Sequence, residues 1–263
     1  MRDMNAVVGS HDIVLITLDT LRYDVADSLC AAGRTPTLAS VLPGGRWERR
    51  HTPGSFTYAA HAAMLAGFLP TPVTPGPHPR PFAARFPGSE TTGDGTWVFD
   101  AADLPGGLAK AGYHTVCVGG VGFFNGLTPL GSALPSLFAE RHWEPSFGVT
   151  DPESLDHQID RVAAVLAGQP ASRPLFLLLN VSALHQPNKH YLPGAVDDSL
   201  ATHGAALEYV DGRIGRLLGL LRRPSFVIVC SDHGTAYGED GHTGHRVGHE
   251  TVWTVPYGEF PLS

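Results

Sequence analysis

The sequence of 263 residues has few cysteines, little basic charge and no long apolar run. The cysteines number only three, and Cys117 and Cys230 lie in apolar runs, so a disulfide framework is not expected. The net charge of -7 argues against a general nucleic-acid binder. No apolar run is long enough to cross a bilayer, and residues 1–12 lack the apolar core of a secretory signal. These absences predict a cytoplasmic protein without a nucleic-acid or membrane partner.

The composition suits a folded domain. Apolar residues make up 43% of the chain, enough to bury a core. The sequence shows no internal repeat and no domain boundary, so residues 1–263 are predicted to form one domain. The negative net charge does not exclude a small anionic substrate, because a bound metal ion supplies local positive charge.

Two short apolar runs end in side chains that can bind a metal. Residues 226–230 lead into Asp232 and His233, and residues 13–18 lead into Asp19. Such runs are typical of strands buried in a parallel sheet, and α/β proteins place their chemistry at the carboxyl ends of these strands. The pattern predicts an α/β fold with a divalent-metal site at one edge of the sheet. Alternatively, the aspartates lie in polar turns or cap helices.

A predicted helix begins near Thr57. Residues 59–66 are strong helix formers, and Gly67 would end the helix. The Thr57 hydroxyl could cap the helix, the commonest role of such a threonine. It could also be a nucleophile, because a helix N-terminus favours anions and a metal lowers the pKa of a hydroxyl. His61 lies one turn later on the same face and could touch the same ligand.

Several segments resemble the alkaline phosphatase/sulfatase superfamily in the order that the family has them. They are residues 14–24 (first strand with a metal-binding Asp), 35–42 ("TPNLDRLA" helix), 57–67 (C-x-P-x-R-x(5)-G), 108–119 ("L-x-x-x-GY-x-T-x-x-x-G"), 209–218 (helix before the metal strand), 231–234 (end of that strand) and 250–256 ("yEesvrvP"). The resemblance is to compact bacterial metal-dependent hydrolases. It implies a three-layer α/β/α sandwich with a mostly parallel sheet, and we expect the sulfatase C-terminal subdomain to be missing.

The sequence departs from sulfatases at the nucleophile. Thr57 stands where sulfatases have the Cys or Ser that matures to formylglycine, and Ala59 and His61 replace the Pro and Arg of that motif. This maturation is therefore not expected. The resemblance instead implies chemistry on phosphate esters, because phosphodiesterases, phosphomutases and phosphoglycerol transferases of the superfamily use threonine here.

The predicted metal ligands depart as well. Asp232 and His233 replace the Asp-Asn pair that suits calcium in sulfatases, and Thr20 stands where a second metal-binding Asp would be. An imidazole ligand favours zinc or manganese over calcium or magnesium. The resemblance allows one or two ions per chain.

Later histidines are further candidates. His185 lies in a stretch that resembles the sulfatase "H-x-P" element, whereas His190 is predicted to face solvent. In the His-rich stretch 240–249, the resemblance favours His245, which lies near the position of a sulfatase lysine, over His249 and then His242. The same stretch also fits a polar surface loop.

The Pro- and Gly-rich segment 70–95 is either a lid that brings Arg80 or Arg85 to an anionic substrate or a surface loop.

Together these features predict a metal-dependent enzyme that hydrolyses a phosphate ester with Thr57 as nucleophile. The expected metal ligands are Asp19, Thr57, Asp232 and His233. The remaining candidates, which would bind phosphate oxygens, protonate the leaving group or complete a second metal site, are His61, His185 and His245. The alternatives are a phosphoryl transferase or mutase, a sulfuric ester hydrolase and a non-catalytic metal-binding protein. The sequence is compatible with either a monoester or a diester substrate. It does not specify an oligomeric state.

Overall fold

The computed structural model describes residues 3–67, 82–83, 97–98 and 103–263. The strands are β1 (Asp12–Leu18), β2 (Glu48–His51), β3 (Phe82–Ala83), β4 (Trp97–Val98), β5 (His114–Val118), β6 (Glu140–His142), β7 (Leu175–Val181), β8 (Ser225–Cys230), β9 (Ala236–Tyr237), β10 (Thr243–Gly244) and β11 (Thr254–Leu262). The helices are α1 (Tyr23–Ala31), α2 (Pro36–Val41), α3 (Thr57–Ala66), α4 (Leu104–Lys110), α5 (Pro129–Ala133), α6 (Ser154–Gly168), α7 (Leu200–Leu220) and α8 (Glu250–Trp253). Arg80 and Arg85 of the predicted lid lie outside the described residues.

The central sheet has the strand order β2-β11-β8-β1-β7-β5-β6. The strands from β8 to β6 pair in parallel, while β11 pairs antiparallel with both β8 and β2. The predicted mostly parallel sheet is therefore confirmed. The registers pair Leu18 with Val181 and Thr17 with Cys230, so β1, β7 and β8 end level with one another. Residues that follow these three strands consequently meet at one edge.

Both faces of the sheet are covered, which explains the apolar runs. All seven residues of β1 and of β7 are buried. Val14, Ile16 and Leu18 of β1 pack into a core shared with α1, α2, α6 and α7. Ile13 and Leu15 point to the opposite face, where the core includes residues of α3 and α4. The result is the predicted three-layer α/β/α sandwich.

Helix α3 begins at Thr57, where the sequence predicted its start. Phe56 is extended (φ -162°, ψ 159°) and serves as its N-cap, so Thr57 is the first helical residue. Gly67 ends the helix with a left-handed conformation (φ 75°), as its position predicted.

Two further predictions from the sequence concern disulfides and membrane-spanning helices. The three cysteines are free thiols, and burial raises the pKa of Cys230 to about 12. Within the described ranges, no helix combines the length and the apolar character that a membrane span requires.

Candidate active site

Three predicted metal ligands meet at the carboxyl edge of the sheet. Asp19 follows β1, and Asp232 and His233 follow β8. Each is completely buried, and their ligand atoms lie within 4.8 Å of one another. His233 Nε2 lies 3.5 Å from Asp232 Oδ2 and 3.9 Å from Asp19 Oδ1. The level strand ends thus bring together residues more than 200 positions apart in sequence.

The backbone around these ligands is closely packed. Thr20 adopts a left-handed conformation (φ 67°), and its N–H donates to Asp232 Oδ1 at 3.2 Å. At Gly234, a Cβ atom would lie 1.9 Å from the carbonyl oxygen of Thr251, so a side chain cannot fit without displacing the backbone. A non-glycine residue with positive φ is uncommon and costs about 1–3 kcal/mol, a cost that concentrates at functional sites.

The buried carboxylates suit a bound cation. Asp19 Oδ1 and Asp232 Oδ2 are buried without a hydrogen-bond partner among the described residues. Burial, together with the charge of Asp232, raises the pKa of Asp19 to about 6, and burial raises the pKa of Asp232 to about 7. Two neighbouring buried carboxylates repel each other unless a positive charge lies between them. Their unpaired oxygens therefore fit a divalent metal ion.

The His233 ring is oriented to complete this donor set. Its Nδ1 lies 2.8 Å from the Gly234 carbonyl oxygen, which can only accept, so Nδ1 carries the proton. Burial lowers the pKa of His233 and favours the neutral ring. The lone pair on Nε2 is then available towards the aspartates, the arrangement typical of a metal-bound histidine.

Thr57 joins the same group of atoms. Its side chain is 1% exposed, and Oγ1 lies 3.4 Å from Asp19 Oδ2 and 3.3 Å from His233 Nε2. The hydroxyl makes no helix-capping hydrogen bond, because Phe56 occupies the N-cap position. Of the two roles open to Thr57 from sequence, the geometry favours the chemical one.

His61 does not reach the cavity beside Thr57, and its predicted contact with substrate needs correction. Its Nδ1 donates to the Thr57 carbonyl oxygen at 2.8 Å, and Nε2 accepts from Thr17 Oγ1 at 3.0 Å. The ring is fully buried, and burial lowers its pKa to about 4. A neutral ring with both nitrogens bonded cannot bind phosphate oxygens. His61 instead fixes the first turn of α3 against β1.

Sequence reasoning missed Asn180. Its side chain is fully buried, and Nδ2 donates to Asp19 Oδ2 at 3.0 Å. Its Oδ1 accepts from the N–H of Val121 at 3.0 Å. Asn180 therefore orients one carboxylate and ties it to the loop after β5. The feature of the sequence that could have indicated this role is that Asn180 is the one amide side chain in the otherwise apolar strand β7, one residue before its end.

A cavity of about 310 Å³ opens beside Thr57, and His185 and His245 line it. The His185 Nδ1 donates to the Gln186 carbonyl oxygen at 2.6 Å, which leaves Nε2 for other contacts. The His245 ring lies 4.8 Å from the His233 ring and 5.4 Å from the His185 ring, measured between centroids. Burial, with the charges of His233, His185 and Arg246, lowers the pKa of His245 to about 3.

The other histidine candidates lie elsewhere. His190 is exposed and packs on Tyr191. His242 is also exposed, while His249 lies 3.1 Å from Asp240 and 2.8 Å from Thr251 Oγ1. The structure therefore places His245, and neither His242 nor His249, beside Thr57.

Sequence comparison identifies the family. The sequence model of the sulfatase family matches residues 11–257. This chain belongs to the sulfatase family. Members of the wider superfamily are enzymes that act on phosphate or sulfate esters and use divalent metals. No curated protein sequence matches the chain significantly.

Solved structures share the fold of this sulfatase-family chain at low sequence identity. The soluble domain of lipooligosaccharide phosphoethanolamine transferase A from Neisseria meningitidis is 16% identical, with a TM-score of 0.64 over 97% of this chain and 78% of that one. The zinc complex of the C-terminal periplasmic domain of EptC from Escherichia coli is 13% identical, with a TM-score of 0.64 over 97% and 74%. The lipoteichoic acid synthase LtaP from Listeria monocytogenes is 13% identical, with a TM-score of 0.61 over 97% and 66%.

Proposed function

We propose that this chain is a metal-dependent phosphoric ester hydrolase with Thr57 as its nucleophile. The carrying observation is the position of Thr57 Oγ1, within 3.4 Å of both Asp19 Oδ2 and His233 Nε2. A threonine hydroxyl is a weak nucleophile on its own and needs such neighbours to become reactive. Membership of a family that acts on phosphate or sulfate esters supports the reaction class.

The chain's own side chains fit a divalent ion. Asp19, Asp232, His233 and Thr57 would hold it, and an imidazole among carboxylates favours zinc or manganese over calcium or magnesium. When bound, the ion would lower the pKa of the Thr57 hydroxyl and neutralise charge on the ester oxygens. His185 and His245 lie next to this set and are the candidates for a second site. The zinc complex of the E. coli fold neighbour supports zinc as the first metal to test.

The side chains also have distinct parts in the proposed reaction. Thr57 Oγ attacks phosphorus as the bond from phosphorus to the alcohol oxygen breaks, and the Thr57 proton passes to Asp19 Oδ2. His185 Nε2 gives a proton to the departing alcohol. Neutral His245 donates one hydrogen bond to a phosphate oxygen. Water then attacks the phosphothreonine and gives a proton to His185 Nε2. Asp19 returns its proton to the departing Thr57 oxygen, so phosphate is released and all three side chains are restored.

A second candidate is a phosphoryl transferase. The fold neighbours from N. meningitidis and Campylobacter jejuni are named as phosphoethanolamine transferases. The same phosphothreonine would form, and an acceptor alcohol would replace water in the second step. Assays with competing alcohols distinguish the two, because a transferase forms a new ester in preference to free phosphate.

The decisive experiment replaces the attacking atom. We expect Thr57→Ala to abolish turnover of phosphate esters. Because the Thr57 hydroxyl does not cap the helix, the variant's free energy of unfolding should fall by less than the ~1 kcal/mol that loss of a helix cap costs. Rapid quenching of the wild type with substrate, followed by mass spectrometry, should find a phosphoryl group on Thr57. Thr243→Ala, in an exposed hairpin, is the matched control. Turnover by Thr57→Ala at the wild-type rate would leave a metal-hydroxide mechanism.

The cytoplasmic location and the lack of nucleic-acid and membrane partners remain predictions. The E. coli neighbour is described as a periplasmic domain. Fractionation of cells that express the chain tests the location directly.

A further inference from the structure

The side chains that line the cavity beside Thr57 include a polar set and an apolar set. The polar wall is defined as His185, His245 and Arg246, and the apolar wall as Val121, Phe123, Leu130 and Val149. Among the described residues that line the cavity, Arg246 is the one with a permanent charge, and no carboxylate is present. The cavity therefore offers contacts both to an anionic group, at the polar wall, and to an apolar group, at the apolar wall.

Arg246 is anchored to the start of the nucleophile's helix. Its backbone is left-handed (φ 71°), and its N–H donates to the Ser55 carbonyl oxygen at 2.8 Å. Its guanidinium lies 5.8 Å from the ring centre of Phe56, the residue before Thr57. It forms no ion pair with any carboxylate of the described chain. An arginine in this position has donors free for an anionic oxygen.

The apolar wall is also positioned relative to the site. Val121 donates its N–H to Asn180, the residue that orients Asp19. Phe123 packs at 5.9 Å against Tyr58, measured between ring centroids. Leu130 is 51% exposed and lines the cavity, so a ligand there can contact it. The apolar wall is thus connected to the residue that orients Asp19 and to the first turn of α3.

We propose that the substrate is an anionic ester of a small apolar alcohol. Arg246 binds a non-bridging oxygen of the anionic group, and Phe123 and Leu130 bind the alcohol. The inference rests on the proposed function, because it takes Thr57 as the attacking atom. A volume of about 310 Å³ lies at the lower end of the range for small-molecule sites, which favours a benzyl-sized alcohol over a long chain.

Binding of non-hydrolysable phosphonates tests the substrate class without turnover. Calorimetry on the zinc-loaded protein would compare benzylphosphonate with 2-hydroxyethylphosphonate, which share the anion and differ in the apolar group. We expect benzylphosphonate to bind roughly tenfold more tightly, because small apolar groups in such pockets contribute about that much. Equal affinities, or tighter binding of the hydroxyethyl ligand, would overturn the proposal.

Two pairs of variants assign the walls. Leu130→Ser should remove the preference for benzylphosphonate, whereas Leu127→Ser, at a 72% exposed residue just before α5, should keep it. Arg246→Gln should weaken both ligands by a similar factor, roughly tenfold or more, because it removes charge-assisted hydrogen bonds. The exposed Arg173→Gln is its control. If either test variant behaves like its control, that wall does not bind substrate and the proposal is wrong.

The Thr57→Ala variant separates this inference from the proposed function. If Thr57→Ala is inactive while the wild type shows no phosphonate preference, the substrate class is wrong and the covalent function stands. If the preference is present while Thr57→Ala remains active, the cavity binds as proposed and the covalent function is wrong.

Discussion

Two regions of the molecule each contain an aspartate and a histidine, but in different surroundings. The first region is the end of β8, with Asp232 and His233, and the second lies around β10, with Asp240 and His249. Asp232 and His233 are completely buried, and one Asp232 oxygen lacks a partner. Asp240 is 84% exposed and pairs with His249, whose other ring nitrogen contacts Thr251. In the second region, the polar atoms of Asp240 and His249 are satisfied by each other, by Thr251 or by solvent. The number of histidines and carboxylates therefore indicates a metal site less reliably than burial without partners.

The largest expected effect comes from exchanging an aspartate in each region. Asp232→Asn should remove the bound ion and lower activity by more than about a hundredfold, since even the residues that support metal ligands cost about 10–100-fold. Elemental analysis of purified protein and steady-state kinetics measure both effects. Asp240→Asn is the matched control and should keep metal and activity. Loss of metal from both variants would erase the difference between the two regions.

A smaller effect is expected behind the ligands. Asn180→Ala removes the amide that holds Asp19, so metal affinity should fall by about 10–100-fold while the ion still binds at saturation. Competition with a chromophoric chelator measures this affinity. Asn188→Ala is the control, because Asn188 is also fully buried but bonds Leu184 and Thr202, away from the metal ligands. An unchanged affinity in Asn180→Ala would show that Asp19 needs no support.

The smallest expected effect concerns a buried histidine compared with an exposed one. Burial, with the charge of Arg22, lowers the pKa of His203 to about 3. The unfolded chain binds that proton near pH 6.5. Stability from neutral His203 is therefore complete above pH 6.5 and is lost as the pH falls towards 3. The loss amounts to about 1.4 kcal/mol per pH unit for one proton.

Urea unfolding between pH 7.5 and 5 tests this pH dependence. His203→Gln should reduce the slope of unfolding free energy against pH by about 1.4 kcal/mol per pH unit, the contribution of one proton. His242→Gln, at an exposed position, should retain the wild-type slope. Identical slopes in all three proteins would mean that His203 binds its proton equally well in the folded and unfolded states, which contradicts the lowered pKa.

The sequence predicted those parts of the site that depend on short-range patterns. The apolar runs before Asp19 and Asp232 became β1 and β8 because parallel strands are buried on both faces. Thr57 and Gly67 mark the ends of α3 because helix boundaries depend on local propensity and backbone conformation. These residues could be placed without knowing which strands are neighbours.

The features that were missed depend on long-range contacts. The bonds of His61 to Thr17 and of Asn180 to Asp19 join α3 and β7 to β1 across the sequence. No local pattern distinguishes an imidazole that faces a cavity from one that bonds a strand. Arg246 was not singled out for a similar reason, since its relation to Phe56 exists only in the folded chain.

The antiparallel strand β11 has a consequence for the order in which the site forms during synthesis. The hydrogen bonds that hold the turn after β8 form late, because Ser231 and Gly234 donate their N–H groups to the carbonyl oxygens of Pro256 and Val252. When synthesis has reached residue 234, the chain already contains all the metal ligands. It does not yet contain Val252 and Pro256, whose carbonyl groups hold the turn. Because chains emerge N-terminus first, the ligand turn can reach its final geometry only after the last strand has left the ribosomal tunnel. A nascent chain stalled before β11 should therefore carry all four ligands and bind the ion poorly.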